Sequence, residues 1–354
     1  MTGFADLPGA VQDDGVIAHY GEPMREQRRL ASGDAIALLG DRAVVEVSGP
    51  ERLSWLDSFT SQATTRMAPG ESSELLILDP QGHVEHAAGI VDDGTSAWLL
   101  ADAEDAEALV SWLKRMVFRA QVTVEPRPDL ALLGFFAGGI AEEALPAGVL
   151  IWADPWEHVQ SGGHQYATVA EHPSAGYAWR VASVEADAAA ALAGHVEAAG
   201  LLAAEALRIA AWRPRWAAEV DERSLPHETD WIRSAVHLNK GCYRGQETVA
   251  KVHNLGHPPR RLAALHLDGS DDVLPGPGAP VFAGENEVGH VTSVARHHEE
   301  GPIALAILSR RAPDGDLIVR ADGIDIAAAQ QVIVPADAGA TVDVPRLTRL
   351  SRRR

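Results

Sequence analysis

The chain has 354 residues, of which 46% are hydrophobic and 23% charged, a balance typical of folded soluble proteins. It excludes a fibrous or largely disordered chain, and the length allows two or three domains of about 150 residues each. The formal net charge of −20 opposes contact with a phosphate backbone, so we expect no sequence-independent binding of nucleic acid by the whole surface. We also expect no direct sequence-specific binding of nucleic acid.

The chain begins with an acidic segment, residues 1–14, where an export signal would need a basic start and an apolar run. No apolar stretch reaches the roughly 18 residues of a membrane span. Cys242 is the only cysteine, so neither an internal disulfide nor an all-cysteine metal site can form. These features predict a cytoplasmic protein, outside the membrane, that holds no permanently bound metal.

The first third of the chain is predicted to alternate strands and helices. Residues 15–35 show no clear period and are expected to be irregular. The β-branched run Ala43–Val47 predicts a strand, and Pro50 is suited to begin the helix that follows. Two apolar runs around the turn at Asp79–Gly82 predict a hairpin. Then come a strand at 97–100, a helix capped by Asp102 and a strand at 122–124.

The rest of the chain divides into a second mixed region and a β-rich region. A strand at 130–136 and an alanine-rich helical stretch at 184–202 predict another α+β unit. After Pro258-Pro259, short β-like runs separated by glycine and proline turns predict a small barrel. These runs lie at 262–267, 280–283, 288–294, 303–308, 317–319 and 332–334. We therefore predict domains at 1–125 (completed by 205–255), 126–204 and 256–345, followed by a basic tail at 346–354.

Side chains with chemical potential concentrate between Leu225 and Arg261. Gly241 and Gly245 flank Cys242 and its neighbours, which predicts a sharply turning loop that displays the thiol. Lys240 and Arg244 lie two residues to either side of Cys242, and nearby cations favour a thiolate. If the loop is exposed, Cys242 is therefore expected to be a reactive thiol.

Three other interpretations of Cys242 remain open at this level. Free cysteine often behaves as a small buried hydrophobe. A cysteine hydrolase would need a base, and the sequence cannot place any candidate histidine near the sulfur. These candidates are His227, His237, His253 and His257. A zinc site at Cys242, His253 and His257 would have only three ligands, and Gly256 and Pro258 interrupt any helix that could align the histidines.

The segment from Lys240 to Glu247, continued by Val249-Ala250-Lys251, resembles the signature of the YgfZ family. This is a family of folate-binding, iron–sulfur-linked relatives of the glycine cleavage T-protein. The resemblance extends over most of the chain and is weakest at 134–203. It includes Val47–Pro50 with Leu53, Trp55 and Leu56, then Thr60–Gln62, Leu207–Ile209, Leu225–Glu228, Gly289–Ser293 and Gly301–Ala306.

The resemblance implies an α+β, three-domain ring around a central hole that holds tetrahydrofolate or a derivative. It implies that Glu228 holds the pterin ring, because a carboxylate can accept two parallel hydrogen bonds from the ring edge. The alternative for Glu228 is a solvated residue that caps a turn near Trp231. The resemblance assigns catalysis to Cys242 and Lys240. It assigns the cofactor to Glu228, Trp231, Tyr243, Arg244, Gln246 and Glu247.

One segment departs from the T-protein pattern. T-proteins carry two aspartates after the hairpin turn, and the corresponding residues here read Gly82-His83-Val84-Glu85-His86-Ala87. Without that pair the aminomethyl transfer lacks its expected carboxylate, although Glu85 or a histidine could substitute if the geometry allowed.

The resemblance therefore favours a tetrahydrofolate-binding accessory protein for the assembly, repair or maintenance of iron–sulfur clusters. Its expected partners are iron–sulfur client proteins, including enzymes that modify tRNA, or cluster-assembly factors. Two alternatives remain. One is a folate-dependent one-carbon transferase or demethylase in which Cys242 or Glu247 participates. The other is a docking role for Lys240–Lys251, with folate only stabilising the fold.

Overall fold

A computed structural model of the chain describes residues 3–270 and 272–341. Its strands, numbered in chain order, are β1 Val11–Asp13, β2 Val16–His19, β3 Ala35–Leu38, β4 Arg42–Ser48, β5 Ser72–Leu78, β6 Val84–Asp92, β7 Ser96–Asp102, β8 Thr123–Pro126, β9 Leu130–Phe136, β10 Leu150–Ala153, β11 Trp179–Glu185, β12 Glu197–Ala199, β13 Arg260–Leu267, β14 Pro280–Ala283, β15 Asn286–His297, β16 Gly301–Ser309, β17 Leu317–Ala321 and β18 Ile324–Val332. Its α-helices are α1 Pro23–Ala31, α2 Arg52–Asp57, α3 Ala103–Met116, α4 Ile140–Glu143, α5 Ala186–Leu192, α6 Leu201–Ala210, α7 Trp216–Glu219 and α8 Gln246–Leu255. The predicted α+β class is confirmed.

The first large sheet has five antiparallel strands in the order β5-β6-β7-β4-β8. Side chains alternate between its faces, as the period of two in a strand requires. Leu75 and Ile77 pack with α2 and α3 on one face, while Leu76 and Leu78 join a larger core on the other. The predicted hairpin is confirmed as β5 and β6. The predicted strands at 43–47, 97–100 and 122–124 are confirmed as β4, β7 and β8.

The second large sheet, in the order β10-β11-β9-β3-β12, contributes to the same larger core. Leu132 and Phe136 of β9 point into that core, whereas Leu133 and Phe135 pack on the opposite face. The two sheets therefore each turn one face toward a shared interior. Because β3 comes from the start of the chain and β9 from beyond residue 126, strands on both sides of the expected boundary build this sheet; the domain boundaries stay a prediction.

The C-terminal strands close into a barrel in the order β13-β16-β15-β14-β17-β18, which confirms the predicted barrel. One predicted strand is wrong, since 332–334 is the end of β18 and the residues after it. Ile333 and Val334 are apolar because they are fully buried against the shared interior. The predicted basic tail at 346–354 lies outside the described residues.

Two further local predictions are wrong. Residues 15–35 contain β2 and α1. The sequence pattern did not predict α1, because two of its buried residues are the polar Glu26 and Gln27. Glu26 holds the helix in place by accepting hydrogen bonds from the backbone N–H groups of Tyr20 and Gly200. The stretch 184–202 is not one helix. Instead α5 ends before β12, which pairs in parallel with β3, and α6 starts at Leu201.

No helix within residues 3–270 and 272–341 has the length and apolar character needed to cross a membrane.

Candidate functional site

A cavity lies in the shared interior between the two large sheets and α6. Its wall combines aromatic rings with carboxylate and guanidinium groups. The aromatic members are Trp152, Tyr177, Trp179, Trp216 and Trp231, and the charged members are Asp41, Arg42, Glu74, Asp102, Asp154, Glu205, Arg208, Arg213 and Arg215. A concave site with apolar walls and a few fixed polar groups is the usual form of a small-molecule site.

Two glycines leave the space that two of the indole rings occupy in the cavity wall. A Cβ atom at Gly89 would lie 2.5 Å from the Trp152 ring, and one at Gly134 would lie 2.3 Å from the Trp179 ring. Any larger residue at either strand position would therefore displace a ring of the wall. Trp152 is also held by a hydrogen bond of 2.7 Å from its Nε1 to the backbone oxygen of Ser73.

Arg213 is the central cation on one side of the cavity. Its guanidinium donates to Asp154 Oδ2 at 3.0 Å and to Glu74, and all three side chains are buried. Burial alone would lower the pKa of Arg213, but Asp154 and Glu74 raise it above its ordinary value. The arginine is therefore charged, and two buried acidic side chains accept its N–H groups in the interior.

A second ionic cluster closes another part of the wall. Asp102 stands at the N-cap position of α3 but does not cap the helix with its side chain, which corrects the prediction; it accepts from Arg42 and, at 2.7 Å, from Arg215. Burial would raise the pKa of Glu205, but Arg208, Arg215 and Arg42 hold it at about 2. Glu205 is therefore ionised, and both carboxylates are engaged by arginines of the protein itself.

Two polar atoms of cavity-lining residues have no partner within the described structure. One is the donor Nε1 of Trp231 and the other is the acceptor Oδ1 of Asp41, and both atoms are buried. An unsatisfied buried polar group costs about 1–3 kcal/mol. A ligand that offers one acceptor and one donor would remove that cost.

The loop 240–245 lies elsewhere, and it carries the exposed thiol of Cys242. The alternative of a buried cysteine is thus wrong, and the expected display of the thiol on a loop is correct. The two flanking cations make hydrogen bonds elsewhere in the protein. Lys240 donates to backbone oxygens, and Arg244 is paired with Glu85.

Glu228 is fully buried and does not belong to the cavity wall. Arg260 approaches its carboxylate with Nε at 3.2 and 3.3 Å and with Nη2 at 2.8 Å. Burial raises the pKa of Glu228, and Arg260 limits that rise. The solvated turn cap considered as an alternative is therefore wrong, and a folate in the cavity would not meet this carboxylate in its present position.

Among the remaining residues that the resemblance assigned to a cofactor, only Trp231 lines the cavity. Tyr243 is a buried member of the loop, Gln246 donates to the backbone oxygen of Lys240 at 3.4 Å, and Glu247 is exposed in the first turn of α8. The structure therefore separates the predicted site into a cavity and a loop.

The candidate histidine bases make other contacts. His227 is buried with Nε2 3.1 Å from the backbone oxygen of Val249, and His253 Nδ1 lies 3.0 Å from the Tyr166 hydroxyl. His257 Nδ1 lies 2.9 Å from the oxygen of Ala338, and His237 Nδ1 accepts from Asn239. Across the described ranges, no group of three or more metal-ligating side chains is arranged to hold a metal ion.

The hairpin that replaces the T-protein aspartates turns its polar side chains away from the cavity. Glu85 pairs with Arg244, and His86 Nδ1 lies 2.7 Å from Asp105 Oδ1 beneath α3. Ala87 and Gly89 of the same strand reach the cavity wall instead. Neither Glu85 nor His86 therefore supplies the carboxylate or base that the hairpin lacks.

Sequence reasoning missed the ionic wall of the cavity. Arg213 is separated from Glu74 by 139 positions and from Asp154 by 59, so no local spacing connects them. The only signal was the unusual density of tryptophan and arginine at 212–216, which a search for chemical motifs passes over.

Comparison with known proteins agrees with this architecture. Residues 260–340 match the family model of the glycine cleavage T-protein C-terminal barrel domain. A chloroplastic protein of Arabidopsis thaliana that carries a provisional transferase name is 23% identical over 312 residues, covering 80% of this chain and 67% of that protein. The crystal structure of the glycine cleavage system aminomethyltransferase T from Bartonella henselae superposes with a TM-score of 0.70 at 16% identity, covering 92% of this chain and 94% of that one. The chain therefore has a T-protein-like fold.

Proposed function

We propose that the cavity between the two sheets binds tetrahydrofolate or a close folate derivative. The observation that carries the proposal is the wall itself, where indole rings stand beside an unpartnered donor, Trp231 Nε1, and an unpartnered acceptor, Asp41 Oδ1. A pterin is a flat heteroaromatic ring whose edge carries both N–H donors and acceptors, so it offers what these residues lack. The T-protein-like fold supports the same ligand class.

The test is calorimetric titration of the full chain with tetrahydrofolate under anaerobic conditions. Trp231→Phe keeps an aromatic wall but removes the donor, and we expect the affinity to fall about fivefold, the effect of one lost hydrogen bond of about 1 kcal/mol. Trp98→Phe is the matched control, because Trp98 lies outside the cavity and donates to Asp93. Absence of binding by the unaltered protein, or equal loss in both variants, would refute the proposal.

Glu228→Gln distinguishes two possible binding sites for the pterin, the cavity and the surroundings of Glu228. If folate occupies the cavity, this variant retains the affinity of the unaltered protein, because Arg260 holds Glu228 away from the wall. A loss larger than that of Trp231→Phe would return Glu228 to the ligand site, as the resemblance to relatives implied.

We also propose that the protein belongs with the YgfZ-type proteins in supporting the assembly, repair or maintenance of iron–sulfur clusters in client enzymes, including tRNA-modifying ones. The supporting observation is the exposed Cys242. One thiolate cannot supply the four protein ligands that stable clusters commonly need, so it suits transient contact with a cluster or a sulfur species. In cells under oxidative stress, Cys242→Ser should lower the activity of iron–sulfur enzymes, whereas Lys251→Met, which changes an exposed residue of α8, should not.

A one-carbon transferase is the second candidate, because the Arabidopsis and Bartonella relatives carry transferase names. Against it stands the orientation of Glu85 and His86 away from the cavity. We expect the purified protein not to release ammonia from an aminomethylated lipoyl carrier in the presence of tetrahydrofolate. Turnover comparable with that of a T-protein would favour the transferase instead.

A further inference from the structure

Lys240 begins the loop that carries Cys242, and its ammonium group is withdrawn from solvent. The side chain is only 2% exposed. Nζ donates to the backbone oxygens of Asp57, Thr60 and Gln62 at 2.6, 2.8 and 2.8 Å. An ammonium group has three donors and no acceptor, so these contacts use all of its hydrogen-bonding capacity.

The carbonyl groups that accept hydrogen bonds from Lys240 belong to the segment 57–62, which is held in place by hydrogen bonds of its own. The Ser61 hydroxyl donates to the oxygen of Ala235 at 2.6 Å and accepts from the N–H of Leu76 at 2.9 Å. Gln62 Nε2 donates to the oxygen of Ser234 at 2.9 Å. The anchor is therefore tied to β5 and to the segment that follows Trp231, both of which are buried.

The other end of the loop is held independently. Arg244 forms a two-pronged ion pair with Glu85, and its guanidinium carbon lies 5.9 Å from the centre of the Trp112 ring. Gly245 follows with φ +80°, where a Cβ atom would lie 2.6 Å from the oxygen of Asp79. The exposed Cys242 thus lies between two anchored residues.

We propose that Lys240 is a positioning residue for Cys242, not a proton donor, a proton acceptor or a ligand of the cofactor. It fixes the backbone at the start of the loop, so that the thiol is presented to solvent in a restricted set of conformations. This inference rests on the part of the proposed function that gives Cys242 a chemical role. Arginine should not replace it, because a planar guanidinium cannot direct donors to three convergent carbonyls as an ammonium can.

A nitroxide label on Cys242 tests the proposal directly, since the chain has no other cysteine to react. Lys240→Met should increase the rotational mobility of the label several-fold, because the loop loses its anchor. The pH midpoint of iodoacetamide alkylation should remain that of the unaltered protein. Lys251→Met, which removes an exposed lysine of α8, is the matched control and should change neither measurement.

A displaced pH midpoint with unchanged label mobility would show that Lys240 acts through its charge, and would overturn the proposal. If Lys240→Met does not fold, Lys240→Arg provides the same decision with the charge retained: a mobile label supports the carbonyl anchor, and an immobile one refutes it. None of these measurements uses folate or a client enzyme. A failed folate titration or cell assay therefore leaves their interpretation unchanged.

Discussion

The cavity and the loop 240–245 differ in the burial and the contacts of their polar side chains. In the cavity, Arg213 is buried with two carboxylates, so removing one member leaves the others charged and uncompensated. In the loop, Cys242 is exposed, and no other group depends on its sulfur within the described structure. The cavity side chains thus contribute to the stability of the fold, whereas the thiol can change with little consequence for the fold.

Arg213→Met provides the strongest test of this difference. It leaves Glu74 and Asp154 buried without their cation, and we expect a loss of about 3–5 kcal/mol in the free energy of unfolding. Urea denaturation at neutral pH measures this loss. Arg320→Met removes a cation from an exposed pair with Asp325 on the barrel and should have little effect. Equal effects of the two substitutions would mean that the cavity cluster contributes no more than a surface pair.

The same contrast explains which features could be predicted from the sequence. The barrel and the hairpin follow from local alternation and turn residues, and the loop follows from a compact motif between Gly241 and Gly245. These are features that a few consecutive residues determine.

The cavity wall and the environment of Glu228 depend instead on contacts between distant residues. Arg260 meets Glu228 across 32 positions, and Arg213 meets Glu74 across 139. A sequence pattern identifies Glu228 as a carboxylate, but it cannot show that Arg260 of the barrel already donates hydrogen bonds to that carboxylate. The burial of Lys240 was likewise invisible, because its acceptors are backbone oxygens, which every residue carries.

Asp230 offers a smaller, pH-dependent test on the cavity side, next to Trp231. Burial raises the pKa of Asp230 to about 7, against the backbone N–H groups of Tyr166 and Ala167 that lower it. Because the folded state holds this proton more tightly than the unfolded state does, the stability that Asp230 contributes is full below about pH 4. It is lost as the pH rises through about 7.

Asp230→Asn should therefore remove part of the decline in stability between about pH 4 and pH 7. Across this range, the difference in free energy of unfolding between the unaltered protein and the variant should change by no more than a few kcal/mol, since one pKa unit corresponds to about 1.4 kcal/mol. Thermal midpoints across this pH range measure it, and His227, present in both proteins, cancels from the comparison. The exposed Asp187→Asn controls for loss of a carboxylate, and a constant difference at all pH values would contradict the shifted titration of Asp230.

Cys242→Ser should have the smallest effect on folding and so completes the comparison. Because the thiol is exposed on a loop that Lys240 and Arg244 hold through other atoms, we expect the free energy of unfolding to change by no more than about 0.5 kcal/mol. Iodoacetamide should label the native thiol about as readily as the thiol of the urea-unfolded chain. A buried thiol would behave differently on both counts: it would label only on unfolding, and serine in an apolar site would cost about 1–3 kcal/mol. Measuring both on one preparation decides whether the cell phenotype of Cys242→Ser reflects lost chemistry, because only an accessible thiol in a protein of unchanged stability separates the sulfur from the fold.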